Sequence, residues 1–259
     1  MIIEKKAIQE AIMLAGKGGK ETLDSLCLIG GLYKTRSEKG RVVGPLVAYR
    51  EEYEPGQHYV GYTYANFSIL ERYPRVIEQI ARLLFEALDD LPSPIKATLN
   101  GAVCCGIPCG GVTLAQLLAL ELDSPFIYLE KKPVLALDGV IGHDLCFSRH
   151  RVTEEEPIII VDDVCHNFHS AKQAIEAVTE LGGRVVALVC ILDRSIGNRH
   201  RFVSNCGKHI PIISAVKQYF PEYRQDYPSI ANLISRFGLI KDPKARWEEL
   251  ITNMAQRSR

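Results

Sequence analysis

Four consecutive apolar residues, Ile158 to Val161, run directly into the acidic pair Asp162-Asp163, and a short polar segment then leads into apolar residues at helical spacing. An unbroken apolar run of this length, bounded by polar residues, reads as a buried strand, and the stretch from Glu156 to Val178 therefore reads as strand, loop and helix. The loop is the candidate site.

Other segments fall into line with that unit. Ala97–Val103, Phe126–Leu129 and Val185–Leu192 are further strand candidates, each separated by helix or loop. Strands alternating with helices imply a mostly parallel sheet whose ligands bind outside the carboxyl ends of the strands. After Pro74, Ile77, Ile80, Ala81, Leu84, Ala87 and Leu88 recur at helical spacing, and Leu91-Pro92-Ser93-Pro94 closes that helix. Ser170 with Gln173 reads as a capping box, and Gly182-Gly183 as the end of the helix it starts. Gly106-Ile-Pro-Cys-Gly-Gly111 is a tight loop before an apolar helix from Val112 to Leu122, and such a loop offers backbone N–H groups to an anion.

The flanks differ in character. Ile8, Ala11, Ile12 and Ala15 mark an N-terminal helix; Gly16 to Thr22 lacks the spacing of a phosphate loop and reads as a helix end and turn. Between Gly31 and Tyr64 short β-rich pieces separated by glycine and proline predict a small hood, whose aromatic residues are candidates for stacking on a planar ligand or for plain packing. Trp247, Leu250, Ile251 and Met254 share one face of a C-terminal docking helix. The expected organisation is a helical and β-rich hood over 1–70, an α/β core over 71–240 and a terminal helix over 241–259.

Charge and composition narrow the partners. Lys+Arg and Asp+Glu are both 31, which leaves no surplus to favour nucleic acid or an anionic membrane. No apolar run approaches the roughly 18 residues of a membrane span and no signal pattern opens the chain, so a cytoplasmic protein is expected. The eight cysteines read as thiols, Cys27 and Cys190 as buried ones.

At a strand end, adjacent carboxylates can both reach one ligand, and sugar hydroxyls or a magnesium ion suit such a pair; the bland alternative is that Asp162 and Asp163 cap the following loop. Cys104, Cys105 and Cys109 on one loop, with His166 and His169 on another, leave open a cysteine nucleophile or zinc, although no C-x-x-C or H-x-x-x-H spacing supports a metal site.

From about Tyr59 to Tyr227 the chain resembles the type I phosphoribosyltransferases, and their orotate branch in particular. Tyr59-Val-Gly-Tyr-Thr-Tyr-Ala-Asn66 falls where that family has an aromatic segment before a long helix. Gly101-Ala-Val-Cys-Cys-Gly-Ile-Pro108 is similar to its pyrophosphate loop, Ile159-Ile-Val-Asp-Asp-Val164 to its ribose-phosphate motif, Leu192-Asp-Arg194 to a strand-end Asp-Arg that contacts the base, and Pro211-Ile-Ile-Ser214 to a late strand. The resemblance implies a mostly parallel twisted sheet flanked by helices, with a small hood. It also implies transfer of phosphoribosyl between phosphoribosyl pyrophosphate and an orotate-like pyrimidine base, Mg2+ holding the pyrophosphate, and a homodimer. Carried over by position, Asp162 and Asp163 hold ribose hydroxyls and, through ligand or water, magnesium; His166, Asn167, Phe168, His169 and Ser170 enclose the phosphate; Cys104, Cys105 and Gly106 meet the pyrophosphate; Lys131 and Lys132 are catalytic; Tyr62 and Arg194 meet the base.

The same resemblance exposes departures. Phe168 stands where glycine lets backbone approach phosphate, Cys105 and Glu54 replace lysines, and the stretch from Glu130 to Gly139, matching a mobile basic loop, keeps only Lys131 and Lys132. Charge-assisted contacts are each worth roughly 1.5–3 kcal/mol, so these losses make a catalytically silent nucleotide sensor or partner subunit the alternative expectation.

Overall fold

The computed structural model describes residues 3–135, 141–195 and 210–255. Two helices, α1 (Lys5–Ala15) and α2 (Gly19–Leu28), open it, so the expected turn over Gly16–Thr22 is only partly a turn. Thr22 sits inside α2, where its hydroxyl donates to the Ala15 carbonyl at 2.8 Å and ties the two helices together.

Short strands follow: β1 (Leu32–Lys34), β2 (Ser37–Glu38), β3 (Arg41–Val42), β4 (Leu46–Glu54), β5 (Gln57–Gly61) and β6 (Thr63–Ala65). Then α3 (Pro74–Asp89) and the single turn α4 (Ser93–Lys96) lead to the central unit. The central elements are β7 (Val103–Gly106), α5 (Gly110–Leu122), β8 (Phe126–Tyr128), β9 (Glu130–Leu135), β10 (Ile141–Cys146), β11 (Pro157–Cys165), α6 (His169–Glu180), β12 (Arg184–Asp193) and β13 (Ile212–Lys217). The chain returns through β14 (Tyr223–Arg224), α7 (Pro228–Phe237), β15 (Leu239–Ile240) and α8 (Trp247–Ala255).

Five strands make one sheet in the order β13-β12-β11-β7-β8, with every pairing parallel. The apolar run explains the layering. Ile159 and Val161 face a core shared with α1, α2, α3 and α5, whereas Ile158 and Ile160 face a second core under α6. A strand covered on both faces cannot alternate polar with apolar, which is why it reads as a continuous run. The strand expected at Ala97 begins later: residues 97–99 form a 3-10 turn, and β7 starts at Val103.

The helix α6 begins at His169 with Phe168 as its N-cap in the left-handed region, φ 62°. Ser170 therefore lies inside the first turn, and the expected capping box does not form; Asn167 Oδ1 accepts the His169 N–H instead, at 3.2 Å. The far end is as expected: Gly182 at φ 86° lets the Gly183 and Gly182 N–H groups return to the Val178 and Thr179 carbonyls.

The hood extends beyond residues 1–70. Its four-stranded sheet runs β14-β5-β4-β15, so pieces near residues 223 and 240 complete it, while α1 and α2 pack into the core layer with α3. Trp247 is buried against Tyr33, Val47 and Tyr49, and its indole N–H donates to the Gly30 carbonyl at 2.9 Å, which docks α8 as the sequence predicts. Among the described residues, no helix is long and apolar enough to cross a membrane.

Candidate active site

Strand β11 outruns its neighbour. β7 stops at Gly106, opposite Val161, so Asp162 and Asp163 continue past the end of that pairing while β12 still accompanies them on the other side. The loop after β7 folds across this gap: the Ile107 N–H donates to the Val161 carbonyl at 2.8 Å, and the loop leads into α5. Only glycines fit there. A Cβ on Gly110 would overlap the Asp163 carboxylate, and one on Gly111 would overlap the Val161 carbonyl.

Asp162 is buried and Asp163 half-buried. Burial first, and the neighbouring Asp163 charge second, push the Asp162 carboxyl well above its usual range; the Asp163 N–H, donated to Asp162 Oδ1 at 2.9 Å, works the other way. Among the described residues neither carboxylate has an ion-pair partner. Lys131 lies close enough to favour the ionised form of Asp162. Two adjacent carboxylates are hard oxygen donors suited to magnesium or to sugar hydroxyls, so the donor set fits the expected ion, as a two-carboxylate seat that a ligand's own oxygens would complete. No group of three or more His, Cys, Asp or Glu side chains stands in metal-binding array among the described residues.

The two lysines separate. Strand β9 pairs antiparallel with β10, Lys131 opposite Leu145 and Lys132 opposite Asp144, and adjacent residues of a strand point to opposite sides. Of the pair, Lys131 is the one whose charge reaches Asp162. The expected basic loop is thus a hairpin arm at its start, resting on α6 through the Gln173 amide, which donates to the His143 carbonyl at 3.4 Å. Ala136 to Gly139 lie outside the described residues.

Several expected ligand contacts are instead core. Cys104 and Cys105 lie within β7, wholly buried and facing the two different cores, and burial raises both thiols to about 12. Such thiols stay protonated, which removes them as nucleophiles or pyrophosphate contacts; Cys109 is exposed. Gly106 is buried at the strand end, where a Cβ would come 2.7 Å from Val112 Cα, so its role is to let α5 approach the sheet. The first N–H groups of that helix are partly used internally, Gly111 donating to the Ile107 carbonyl at 3.0 Å and Val112 to the Cys109 carbonyl at 3.2 Å. Tyr62 packs edge-on against Tyr223, ring centroids 5.5 Å apart, in a hood cluster with Leu233 and Ile234.

Phe168 also departs from expectation. Its backbone takes the left-handed conformation that glycine would favour, but the ring turns inward and is buried with Cys165, Ala171 and Ile175 instead of standing over the loop. Asn167 donates its side-chain amide to Glu51, while His169 is exposed and Ser170 half-buried.

Arg194 is buried and enclosed. Its N–H donates to the Cys165 carbonyl at 2.9 Å; its guanidinium lies 2.6 Å from Glu222 and stacks over Tyr49 and Phe220 at 4.7 and 5.7 Å. The same Glu222 oxygen is 3.0 Å from His166 Nε2. Sequence reading missed Glu51, Phe220 and Glu222, and had Tyr49 and Tyr64 only among the hood aromatics that could stack on a ligand or simply pack. Tyr64 belongs with them because burial first, then the Asp242 and Asp163 charges, raise its phenol, which sets it within electrostatic reach of the acidic pair. Their common signal is weak, being scattered across the hood and the segment after β13.

A parallel α/β sheet with an acidic pair and a glycine loop at its carboxyl edge has the layout in which open α/β folds carry their ligand sites. No protein-family model matches the chain. Curated relatives do: it is 28% identical over 138 residues to orotate phosphoribosyltransferase 2 of Mesorhizobium japonicum, covering 52% of this chain and 64% of that protein. To the orotate phosphoribosyltransferase of Caldicellulosiruptor saccharolyticus it is 32% identical over 126 residues, covering 49% and 58%. The chain thus spans less than two thirds of the length of these relatives. Among solved structures, orotate phosphoribosyltransferase from Aeropyrum pernix aligns with a TM-score of 0.43 at 17% identity, over 73% of this chain and 89% of that one. Over about half of its length, then, the chain is similar in sequence to orotate phosphoribosyltransferases.

Proposed function

We propose that the protein binds phosphoribosyl pyrophosphate or a nucleoside monophosphate and transfers phosphoribosyl to or from a pyrimidine-like base. The acidic pair, with no ion-pair partner among the described residues and pressed against Gly110, is the observation that supports this most directly. Asp162 and Asp163 accept hydrogen bonds from the ribose hydroxyls and would hold Mg2+, which would supply neutralisation of negative charge on pyrophosphate. In the forward direction a base nitrogen forms a bond to the anomeric carbon while the bond from that carbon to the pyrophosphate oxygen breaks, its electron pair leaving with pyrophosphate. Lys131, whose charge reaches Asp162 and favours its ionised form, is the residue proposed to meet the anionic leaving group. A homodimer, expected from the resemblance, belongs to the same proposal.

A second reading has its own support. Glu222 engages both His166 and Arg194, and Glu51 engages Asn167, so the 165–170 loop meets two carboxylates of the protein itself. That arrangement favours a binding protein without turnover. Calorimetry with phosphoribosyl pyrophosphate and magnesium, followed by assay of pyrophosphate release with orotate and other common bases, decides. Heat with release supports the transferase, heat without release the binding protein, and no heat at millimolar ligand overturns both.

A further inference from the structure

Arg36, Arg236 and Arg246 line a single cleft of about 410 Å³ in the hood, although the whole chain carries 31 basic and 31 acidic residues. They arrive from separate elements: Arg36 follows β1, Arg236 lies in the last turn of α7, and Arg246 immediately precedes α8. The acidic side chain in the lining, Glu249, is already taken by Arg246 through two contacts of 2.6 and 2.7 Å. Arg36 gives one terminal nitrogen to Glu38 at 2.5 Å, yet its Nε is buried with no hydrogen-bond partner among the described residues. Arg236 has no ion-pair partner among the described residues; its guanidinium stands 5.0 Å from the Phe237 ring centroid. An adjoining cavity of about 320 Å³ shares Val43 and Arg236 and adds Arg41.

The walls are held independently of any ligand. The Tyr33 and Thr35 hydroxyls both donate to the Pro45 carbonyl, at 2.8 and 2.9 Å, and the Val43 N–H donates to the Arg36 carbonyl at 2.9 Å. A guanidinium presents paired donors that match phosphate oxygens, and a desolvated donor left unpaired is costly until an acceptor arrives. We propose that this cleft binds a multiply charged phosphate ester at a site separate from the acidic pair. The arginines take the phosphate oxygens, and Val43, Pro45 and Leu239 supply an apolar wall for the organic part. The volume suits a small phosphorylated metabolite. The two sites have opposite electrostatics: carboxylates at the sheet edge call for a cation or hydroxyls, whereas the hood cleft calls for an anion.

Inorganic pyrophosphate titrated calorimetrically into the full chain, with magnesium removed by EDTA, tests this without involving a metal at the acidic pair. The expected result is saturable binding that weakens about tenfold in Arg236→Gln and in Arg36→Gln and changes by less than about twofold in Asp163→Asn. Arg236 is exposed, so its variant keeps the test readable if Arg36→Gln unfolds; melting temperatures of both are recorded alongside. No heat at millimolar pyrophosphate, or binding lost in Asp163→Asn and kept in Arg236→Gln, overturns the proposal. Neither result bears on whether phosphoribosyl pyrophosphate with magnesium binds at Asp162 and Asp163.

Discussion

The Arg194 guanidinium lies 2.6 Å from Glu222, and the same carboxylate oxygen stands 3.0 Å from His166 Nε2. One internal carboxylate therefore engages both the Arg194 guanidinium and the His166 ring at the 165–170 loop. A phosphate approaching that loop has to displace Glu222 or bind beside it, and like charges at that range repel.

Glu222→Gln removes that charge while keeping the shape. Affinity for phosphoribosyl pyrophosphate with magnesium is expected to rise about tenfold, because the Arg194 guanidinium and the His166 ring become available to the ligand. Stability is expected to fall by about 1–3 kcal/mol, since Arg194 is buried and loses a charged partner. Calorimetry and urea unfolding read the two effects; unchanged affinity would mean that neither His166 nor Arg194 faces the ligand.

Asp162→Asn tests the buried carboxyl. Its folded-state pKa is raised by burial first and by Asp163 second, so the folded protein binds that proton more tightly than the unfolded chain does. Wild-type stability therefore carries a loss that is absent at pH below about 4, grows as pH rises toward the raised pKa, and levels off above it. Asparagine cannot ionise and keeps an oxygen for the Asp163 N–H. The variant should melt higher than wild type near neutral pH, with the gap closing toward pH of about 4. A gap independent of pH would show that ionisation at Asp162 is not the cause.

What the sequence made legible was whatever rests on local pattern. The Ile158–Val161 run is apolar because both sheet faces are covered, and α3, α6 and α8 show their buried faces at helical spacing. The acidic pair was legible because an apolar strand ending in two carboxylates has few structural uses. Side-chain direction was not. Cys104 and Cys105 look like loop residues beside Gly106, but β7 runs through Gly106 and buries them on opposite faces. Phe168 reads as an obstruction only if its ring follows the usual backbone; at φ 62° it turns into the core. Glu222 and Glu51 were invisible because they reach the site through tertiary pairing of distant segments, which no local period encodes.

Thiol chemistry separates loop from core directly. Cys109 is exposed, whereas Cys104 and Cys105 are wholly buried with thiols raised to about 12 by burial. Iodoacetamide at near-neutral pH, with peptide mapping by mass spectrometry, should label Cys109 in the folded protein and label Cys104 and Cys105 only after denaturation. Labelling of Cys105 in the native state would restore it as a site residue.

Phe168→Gly sets two effects against each other. Glycine relieves a left-handed backbone that costs other residues about 1–2 kcal/mol, but loss of a buried phenyl ring costs about 3–5 kcal/mol. Packing wins, and the variant should lose about 2–3 kcal/mol in denaturant unfolding. A gain in stability would show that the ring contributes little to the α6 core.

Gly110 and Gly111 distinguish ligand seat from scaffold within two residues. At Gly110 the methyl group of alanine meets the Asp163 side chain, whose carboxylate can rotate away but whose Cβ, 2.9 Å off, must shift; at Gly111 it meets the Val161 carbonyl, backbone held between β7 and β12. Moving a side chain costs little stability but takes the carboxylate from its place beside Asp162, whereas moving a central strand disturbs both cores. Gly110→Ala should therefore still fold, with a melting temperature lowered far less than that of Gly111→Ala, and lose at least about tenfold in affinity for phosphoribosyl pyrophosphate with magnesium. Gly111→Ala should be destabilised by several kcal/mol or fail to accumulate as folded protein. Full ligand affinity in a folded Gly110→Ala variant would mean that the position of Asp163 does not matter to binding, and the acidic pair would no longer support the proposed activity.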